Sequence, residues 1–108
     1  MPDVEFQRAL PAADLAPNSM RAVTLGAREL LLCHVKDGLY AVDNICTHGY
    51  ARLDEGRLRG VRVICPLHGA SFDCRNGSVL GAPASQPLRG YPVRVVADWI
   101  EVGIPAAT

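Results

Sequence analysis

The chain has 108 residues, 49% hydrophobic and 20% charged, and its formal net charge at pH 7 is zero. This composition is that of an ordinary globular protein, and the length predicts a single domain over residues 1–108. A neutral chain gives no electrostatic reason to expect nucleic acid or a membrane surface as a partner, and no apolar run approaches a membrane span. Residues 1–5 lack the basic and apolar regions of a signal peptide, so we expect a cytoplasmic protein.

Short apolar runs separated by turn residues predict strands along the whole chain. The predicted strands are 4–10, 20–25, 28–35, 39–42, 57–59, 62–64, 71–73, 78–80, 91–97 and 99–102. Residues 12–18 predict a loop with at most one helical turn, since Pro17 prevents a longer helix. Asn76-Gly77 predicts a type I′ turn. No stretch sustains a 3.6-residue period, which indicates an all-β protein.

Two short segments each carry one cysteine and one histidine. The first is Cys46-Thr47-His48-Gly49. The second, separated from His48 by sixteen intervening residues, is Cys65-Pro66-Leu67-His68-Gly69. Two Cys and two His are the ligand set of a [2Fe–2S] centre in which His replaces Cys on one iron. Zinc sites usually group their cysteines as a pair, so the mixed order favours the iron–sulfur interpretation over zinc or unrelated side chains.

These segments resemble the ligand boxes of Rieske proteins, and their surroundings are most similar to the small Rieske ferredoxins of bacterial aromatic-ring dioxygenase systems. A third segment, Gly81-Ala82-Pro83-Ala84 followed by Pro87-Leu88, is similar to the proline loop that covers the cluster in that family. The resemblance implies the Rieske fold, a barrel-like sandwich of small antiparallel sheets with a cluster-binding subdomain at one end, its loops spanning about 44–88.

The resemblance also implies one Rieske-type [2Fe–2S] cluster. Cys46 and Cys65 would then bind one iron, and His48 and His68 would bind the other, more exposed iron. The implied partners are a flavin-dependent ferredoxin reductase and a terminal Rieske non-haem iron oxygenase, both docking near His48 and His68. We expect a monomer that passes single electrons between them.

The residues that remain once the cluster ligands are assigned argue against an enzyme. Oxygenase large subunits add a 2-His-1-carboxylate iron site, but after the cluster takes two histidines only His34 remains. The chain has no GxGxxG for a nicotinamide or flavin. We therefore predict an electron carrier, and keep as the alternative an accessory Rieske subunit of a larger reductase, such as the small subunit of nitrite reductase.

Two further cysteines lie outside the boxes. Alternation in the run 29–35 places Cys33 on one face with Leu31 and Val35, which predicts a small buried hydrophobe. Cys74 follows a predicted strand. Because two cysteines remain outside the boxes, a disulfide between Cys33 and Cys74 is possible, but a reducing cytosol argues against it.

The resemblance also bears on the reduction potential. High-potential Rieske proteins carry an extra cysteine in each ligand loop, where this chain has Ala51 and Leu67. They also place hydroxyl side chains two and four residues after the second ligand histidine, where this chain has Ala70 and Phe72. Hydrogen bonds to cluster sulfur raise the potential, so we expect a low value, roughly −150 mV.

Overall fold

The structure, a computed structural model, describes residues 4–47, 49–67 and 69–105. Within these ranges the regular secondary structure is nearly all β-strand, which confirms the predicted fold class. The elements are β1 (Val4–Pro11), a 3-10 turn (Ala12–Asp14), β2 (Ser19–Leu25), β3 (Arg28–Val35), β4 (Gly38–Asp43), a second 3-10 turn (Leu53–Glu55), β5 (Arg57–Arg59), β6 (Arg62–Ile64), β7 (Ser71–Asp73), β8 (Val79–Gly81), β9 (Gly90–Tyr91), β10 (Val93–Val96) and β11 (Trp99–Pro105). No helix in the part of the chain that the structure describes has the length and apolar character needed to cross a membrane.

The strands form three antiparallel sheets. Their orders are β1-β11-β10, β2-β3-β4-β9 and β5-β6-β7-β8. The third sheet lies between β4 and β9 in the chain, together with both cysteine–histidine segments. The first segment follows β4, and the second joins β6 to β7.

Strand β3 separates two apolar cores and is buried on both faces. One face contributes Leu31, Cys33 and Val35 to a core that also holds Cys46 and Cys65, which we call the cluster-side core. The other face contributes Leu30 and Leu32 to the second core. Other members of the cluster-side core are Val42, Leu53, Val63, Ala70, Phe72, Cys74, Ala84 and Leu88. Burial on both faces explains why β3 is a continuous apolar run.

The type I′ prediction at Asn76-Gly77 is wrong. Residues 74–78 join β7 to β8, and a 2.8 Å hydrogen bond from the Asp73 N–H to the Ser78 carbonyl closes four of them, 74–77, into a loop. A type I′ turn needs positive φ at both central residues, but of this pair only Gly77 is left-handed, with φ 81°. The positive-φ pair is instead Ala97 and Asp98, at 50° and 66° between β10 and β11.

The strand predicted over 91–97 is two strands in the structure. Gly90 and Tyr91 pair with β4, whereas Val93–Val96 pair with β11. Pro92 lies between them, and because proline has no backbone N–H it cannot donate to a ladder. Strand β11 runs to Pro105, where the described residues end.

Candidate metal centre

The first ligand loop, residues 44–54, is a small hairpin held by backbone hydrogen bonds. The Cys46 N–H donates to the Ala51 carbonyl at 2.8 Å, and the Tyr50 N–H donates to the Cys46 carbonyl at 2.9 Å. Ile45 and Arg52 form an antiparallel bridge beneath them. These bonds fix the cysteine at the start of the loop.

The second ligand loop, residues 65–70, closes in the same way between β6 and β7. The Cys65 N–H donates to the Ala70 carbonyl at 2.7 Å. Gly69, the fourth residue after Cys65, is left-handed with φ 73°. Both loops therefore span the same number of residues from the cysteine N–H to the carbonyl that closes them.

A glycine follows the histidine in each loop, but only Gly69 is left-handed, and Gly49 does not have a positive φ. In the first loop the left-handed residue is Tyr50, with φ 56°, again the fourth residue after the cysteine. A side chain at such a position costs of order 1–2 kcal/mol relative to glycine.

The two cysteine thiols lie side by side in the cluster-side core. Cys46 is fully buried and Cys65 is 2% exposed, and each thiol is within hydrogen-bonding reach of the other. Burial raises the pKa of the Cys65 thiol, the Leu67 backbone N–H lowers it, and the neighbouring Cys46 thiol raises it further. The two loops also contact each other, since a Cβ on Gly49 would lie 3.6 Å from Leu67 Cδ1.

The two predicted histidine ligands, His48 and His68, lie outside the described residues. Their neighbours in the chain are described. The Thr47 hydroxyl donates to the Gln86 carbonyl at 2.7 Å, which holds the proline loop, residues 81–88, against the first ligand loop. Within the described ranges no three His, Cys, Asp or Glu side chains gather as a metal site, so the two thiols are the part of the predicted ligand set that can be located.

The third histidine of the sequence has a structural role. His34 is half-buried on β3, and its Nδ1 lies 2.9 Å from the Leu15 carbonyl oxygen. This contact ties the loop before β2 to the sheet.

A buried polar contact that the sequence does not reveal fixes the base of the first ligand loop. Asn44 is fully buried; its Nδ2 donates to Asp54 Oδ1 at 2.7 Å, and its Oδ1 accepts from the Asp54 N–H at 3.0 Å. Arg52 approaches Asp54 at 3.2 Å and Glu29 at 2.6 Å. Burial pushes the pKa of Asp54 upward, but hydrogen bonds from Asn44 and Arg52 hold it below its ordinary value.

A second anchored carboxylate lies on β7, the strand that follows the second ligand loop. Asp73, at the end of β7, accepts from the Arg75 side chain through both oxygens, at 3.0 and 2.9 Å, and from the Arg75 N–H at 2.9 Å. The hydrogen bonds from the Arg75 guanidinium lower the pKa of Asp73, against a smaller effect of burial. Each ligand loop is thus followed by an anchored aspartate.

Two positions that bear on the potential are fully buried in the cluster-side core. Ala70 and Phe72 pack there with the thiols, and neither has a hydroxyl to donate. Cys33 and Cys74 are also buried in this core as free thiols, which confirms the prediction for Cys33. A hydrogen bond to Cys74, together with burial, raises the pKa of Cys33.

The donor chemistry of the described residues fits a [2Fe–2S] group. Two adjacent thiols inside an apolar core, each at the start of a tight loop, are suited to hold the more buried iron of such a cluster. Each loop continues into a histidine of the sequence. An all-β protein with two such closed loops, each placing a buried thiol in one core, has the features of the mixed cysteine–histidine iron–sulfur proteins.

Comparison with known proteins makes the class specific. The family model of the Rieske [2Fe-2S] domain matches residues 5–92, and the chain belongs to this family. Its cofactor is a Rieske-type [2Fe–2S] cluster, as the sequence predicts.

Among its relatives, the ferredoxin component of the naphthalene 1,2-dioxygenase system of Pseudomonas putida is 39% identical over 92 residues, which cover 85% of this chain and 88% of that protein. A chain in the complex of reduced oxygenase and oxidized ferredoxin in carbazole 1,9a-dioxygenase superposes with a TM-score of 0.86 at 32% identity, covering 95% of this chain and 97% of that one. A nitrite reductase small subunit from Mycobacterium tuberculosis superposes at 0.83 with 24% identity, covering 96% and 98%, which shows a shared fold. The predicted resemblance to dioxygenase ferredoxins is confirmed.

Proposed function

We propose that this protein is the low-potential ferredoxin of a multicomponent aromatic-ring oxygenase system. Cys46 and Cys65 bind one iron of the cluster and His48 and His68 bind the other. When bound, the cluster accepts and releases one electron at a time. The observation that carries the proposal is the pair of contacting hairpin loops with adjoining buried thiols, in a chain similar to dioxygenase ferredoxins over most of its length.

Some residues of the chain shield the thiols from water, and others form an exposed surface at the tips of the ligand loops. The cluster-side core surrounds the thiols with apolar side chains and excludes water from them. At the tip of the loops Tyr50 is 79% exposed and Leu67 is 46% exposed. A surface that includes Gly49, Tyr50, Gly69 and Pro83 is therefore the docking site for both partners, next to the histidines.

The partners are a flavin-dependent ferredoxin reductase, which supplies the electron, and a terminal Rieske non-haem iron oxygenase, which receives it. A carrier that must leave one partner before meeting the other needs a small interface, below roughly 1,200 Å² in total. The protein acts as a cytoplasmic monomer. An accessory subunit such as that of nitrite reductase would instead remain attached to one large enzyme.

Metal analysis and spectroscopy test the ligand assignment. We expect iron and acid-labile sulfide in equal amounts and a rhombic EPR signal after reduction, because the two irons have different ligands. Catalytic reduction by a flavin-dependent ferredoxin reductase, with no complex surviving gel filtration, supports the carrier role. A stable complex with a large reductase would favour the accessory subunit, and zinc in place of iron would refute the cofactor assignment.

Protein-film voltammetry tests the low potential. Because Ala70 and Phe72 offer no hydroxyl to the cluster, we expect a midpoint near the lower end of the Rieske range, roughly −150 mV. The double variant Ala70→Ser with Phe72→Tyr supplies two donors and should raise the midpoint. A wild-type midpoint well above zero would contradict the assignment.

A further inference from the structure

The outer face of strands β5 and β6 carries three arginines. Antiparallel pairing sets Arg59 opposite Arg62 and Arg57 opposite Ile64. Residues directly opposite each other point to the same side of a sheet, as do alternate residues of a strand. Arg57, Arg59 and Arg62 therefore share one face, and all three are exposed. The other face carries Leu58 and Val63, which pack on the cluster-side core.

The three arginines, which we call the arginine face, are not used to hold the described fold together by ion pairs. Among the residues that the structure describes, the ion pairs involve Arg52, Arg75 and Arg94. Arg62 donates from Nη1 to the neutral Ser71 hydroxyl at 2.6 Å. The carboxylate opposite it on β7, Asp73, is bound by Arg75 instead. Like charges directly opposite each other destabilise a sheet, so the Arg59–Arg62 pair costs stability.

The arginine face is continuous with the second ligand loop. A cleft of about 360 Å³ is lined by Arg57 and Ile64 of these strands and by Cys65, Pro66 and Gly69 of the loop. One acidic side chain, Glu55, also lines this cleft. Its carboxylate lies 4.0 Å from Arg52 Nε, and a single carboxylate leaves the net charge of the three arginines positive.

We propose that the arginine face, with this cleft, binds a carboxylate-rich surface of a redox partner beside the cluster tip. The inference rests on the proposed carrier function and adds the chemistry of the partner. The planar guanidinium group binds carboxylates through two parallel hydrogen bonds, and three of them in one face select a surface on which several Asp or Glu side chains stand close together. The cationic face also attracts such a partner at long range and orients the second ligand loop toward it.

Rates of electron transfer to small redox ions of opposite charge can test the electrostatic field of the arginine face. The reduced protein gives one electron to hexacyanoferrate(III), a trianion, or to hexaamminecobalt(III), a trication, and each rate is followed by stopped flow. We expect the triple variant Arg57→Glu, Arg59→Glu and Arg62→Glu to slow the reaction with the anion by roughly tenfold at low ionic strength and to speed the reaction with the cation. Both differences should shrink at high salt, because exposed charges are screened.

Matched variants separate charge from structure. Replacing the same three residues by lysine keeps the charge and should leave both rates nearly unchanged. Arg59→Glu should reproduce part of the triple effect, whereas Arg21→Glu, an exposed arginine on β2 in another sheet, should have little effect. Equal effects of Arg59→Glu and Arg21→Glu would show that only net charge matters, and would overturn the proposal.

Two further measurements do not depend on electron transfer to a partner. Titration of the isotope-labelled holoprotein with poly-L-glutamate should shift the amide resonances of β5 and β6, and poly-L-lysine should not. Arg59→Glu places opposite charges across from each other and should raise the melting temperature. No response to poly-L-glutamate, or a lower melting temperature, would refute the inference, whereas a protein without a reducible cluster would refute the carrier function instead.

Discussion

The two ligand loops reach the same closure by different local means. In each, the cysteine N–H donates to the carbonyl five residues ahead, and the fourth residue after the cysteine is left-handed. The second loop has Gly69 at that position and joins two strands of one sheet, so the ladder supplies its backbone partners. The first loop has Tyr50 there and connects β4 of one sheet to β5 of another, so its base depends on the buried Asn44–Asp54 contact.

This difference shows where each loop is vulnerable. A loop that joins two paired strands loses stability mainly when its own backbone is strained, because its other backbone hydrogen bonds are repeated along the strands. A loop outside a ladder is sensitive to the loss of a single buried side chain, because a buried polar group left without its partner costs more than the bond itself contributes.

The largest expected effect comes from the thiols, where the two loops are equivalent. Cys46→Ser and Cys65→Ser should each abolish cluster assembly, since one iron loses half of its protein ligands, and His48→Ala and His68→Ala should do the same. Iron content and visible absorbance measure the loss.

The other cysteines provide the control for this prediction. Cys33→Ala and Cys74→Ala remove buried thiols from the same core and should retain the cluster. Loss of iron in Cys33→Ala but not in Cys46→Ser would contradict the ligand assignment.

The next largest effect should be a loss of unfolding free energy that is specific to the first ligand loop. Asn44→Ala removes both hydrogen bonds to Asp54 and leaves a partly buried carboxylate without its amide partner, so we expect a loss of about 2–3 kcal/mol of unfolding free energy. Urea unfolding followed by circular dichroism measures it. The control is Asn76→Ala, which removes an exposed hydrogen bond to the Ser78 N–H and should cost less than about 1 kcal/mol.

A smaller effect should appear in the second loop. Gly69 is left-handed and has open space around its Cα, so Gly69→Ala adds backbone strain without a clash and should cost about 1 kcal/mol. Gly49→Ala places a Cβ at an ordinary 3.6 Å contact with Leu67 and has no left-handed strain, so its unfolding free energy should stay within about 0.5 kcal/mol of wild type. Equal losses would show that both glycines are required for conformation.

The smallest expected effect is the change of the unfolding free energy with pH in the acidic range. The pKa values of Asp54 and Asp73 are lowered in the folded protein, so each stabilises the fold above the ordinary aspartate pKa of about 3.9 and loses that contribution as the pH falls through its lower folded value. Asp73→Asn should therefore be less stable than wild type at neutral pH, and the difference should narrow below about pH 4. Urea midpoints of the two proteins at each pH measure it, and a constant difference would contradict the role of the Asp73 charge.

The sequence by itself determined the chemistry of the site and the class of the fold. The paired boxes at Cys46 and Cys65 identify a cluster because ligand type and spacing are local properties of the chain. Alternation of apolar residues likewise located most strands, including β2, β3, β5 and β6, within a residue or so of their observed ends.

Tertiary structure decided how those pieces support one another. The contact of Asn44 with Asp54, the neighbouring thiols of Cys33 and Cys74 and the two buried faces of β3 all depend on which segments meet in space. Left-handed backbone at Tyr50, Ala97 and Asp98 occurs without glycine, because the strands and loops on either side impose it. Residue identity determines which bonds a side chain can make, but long-range packing selects the partner and the backbone angle, and neither is a property of neighbouring residues in the sequence.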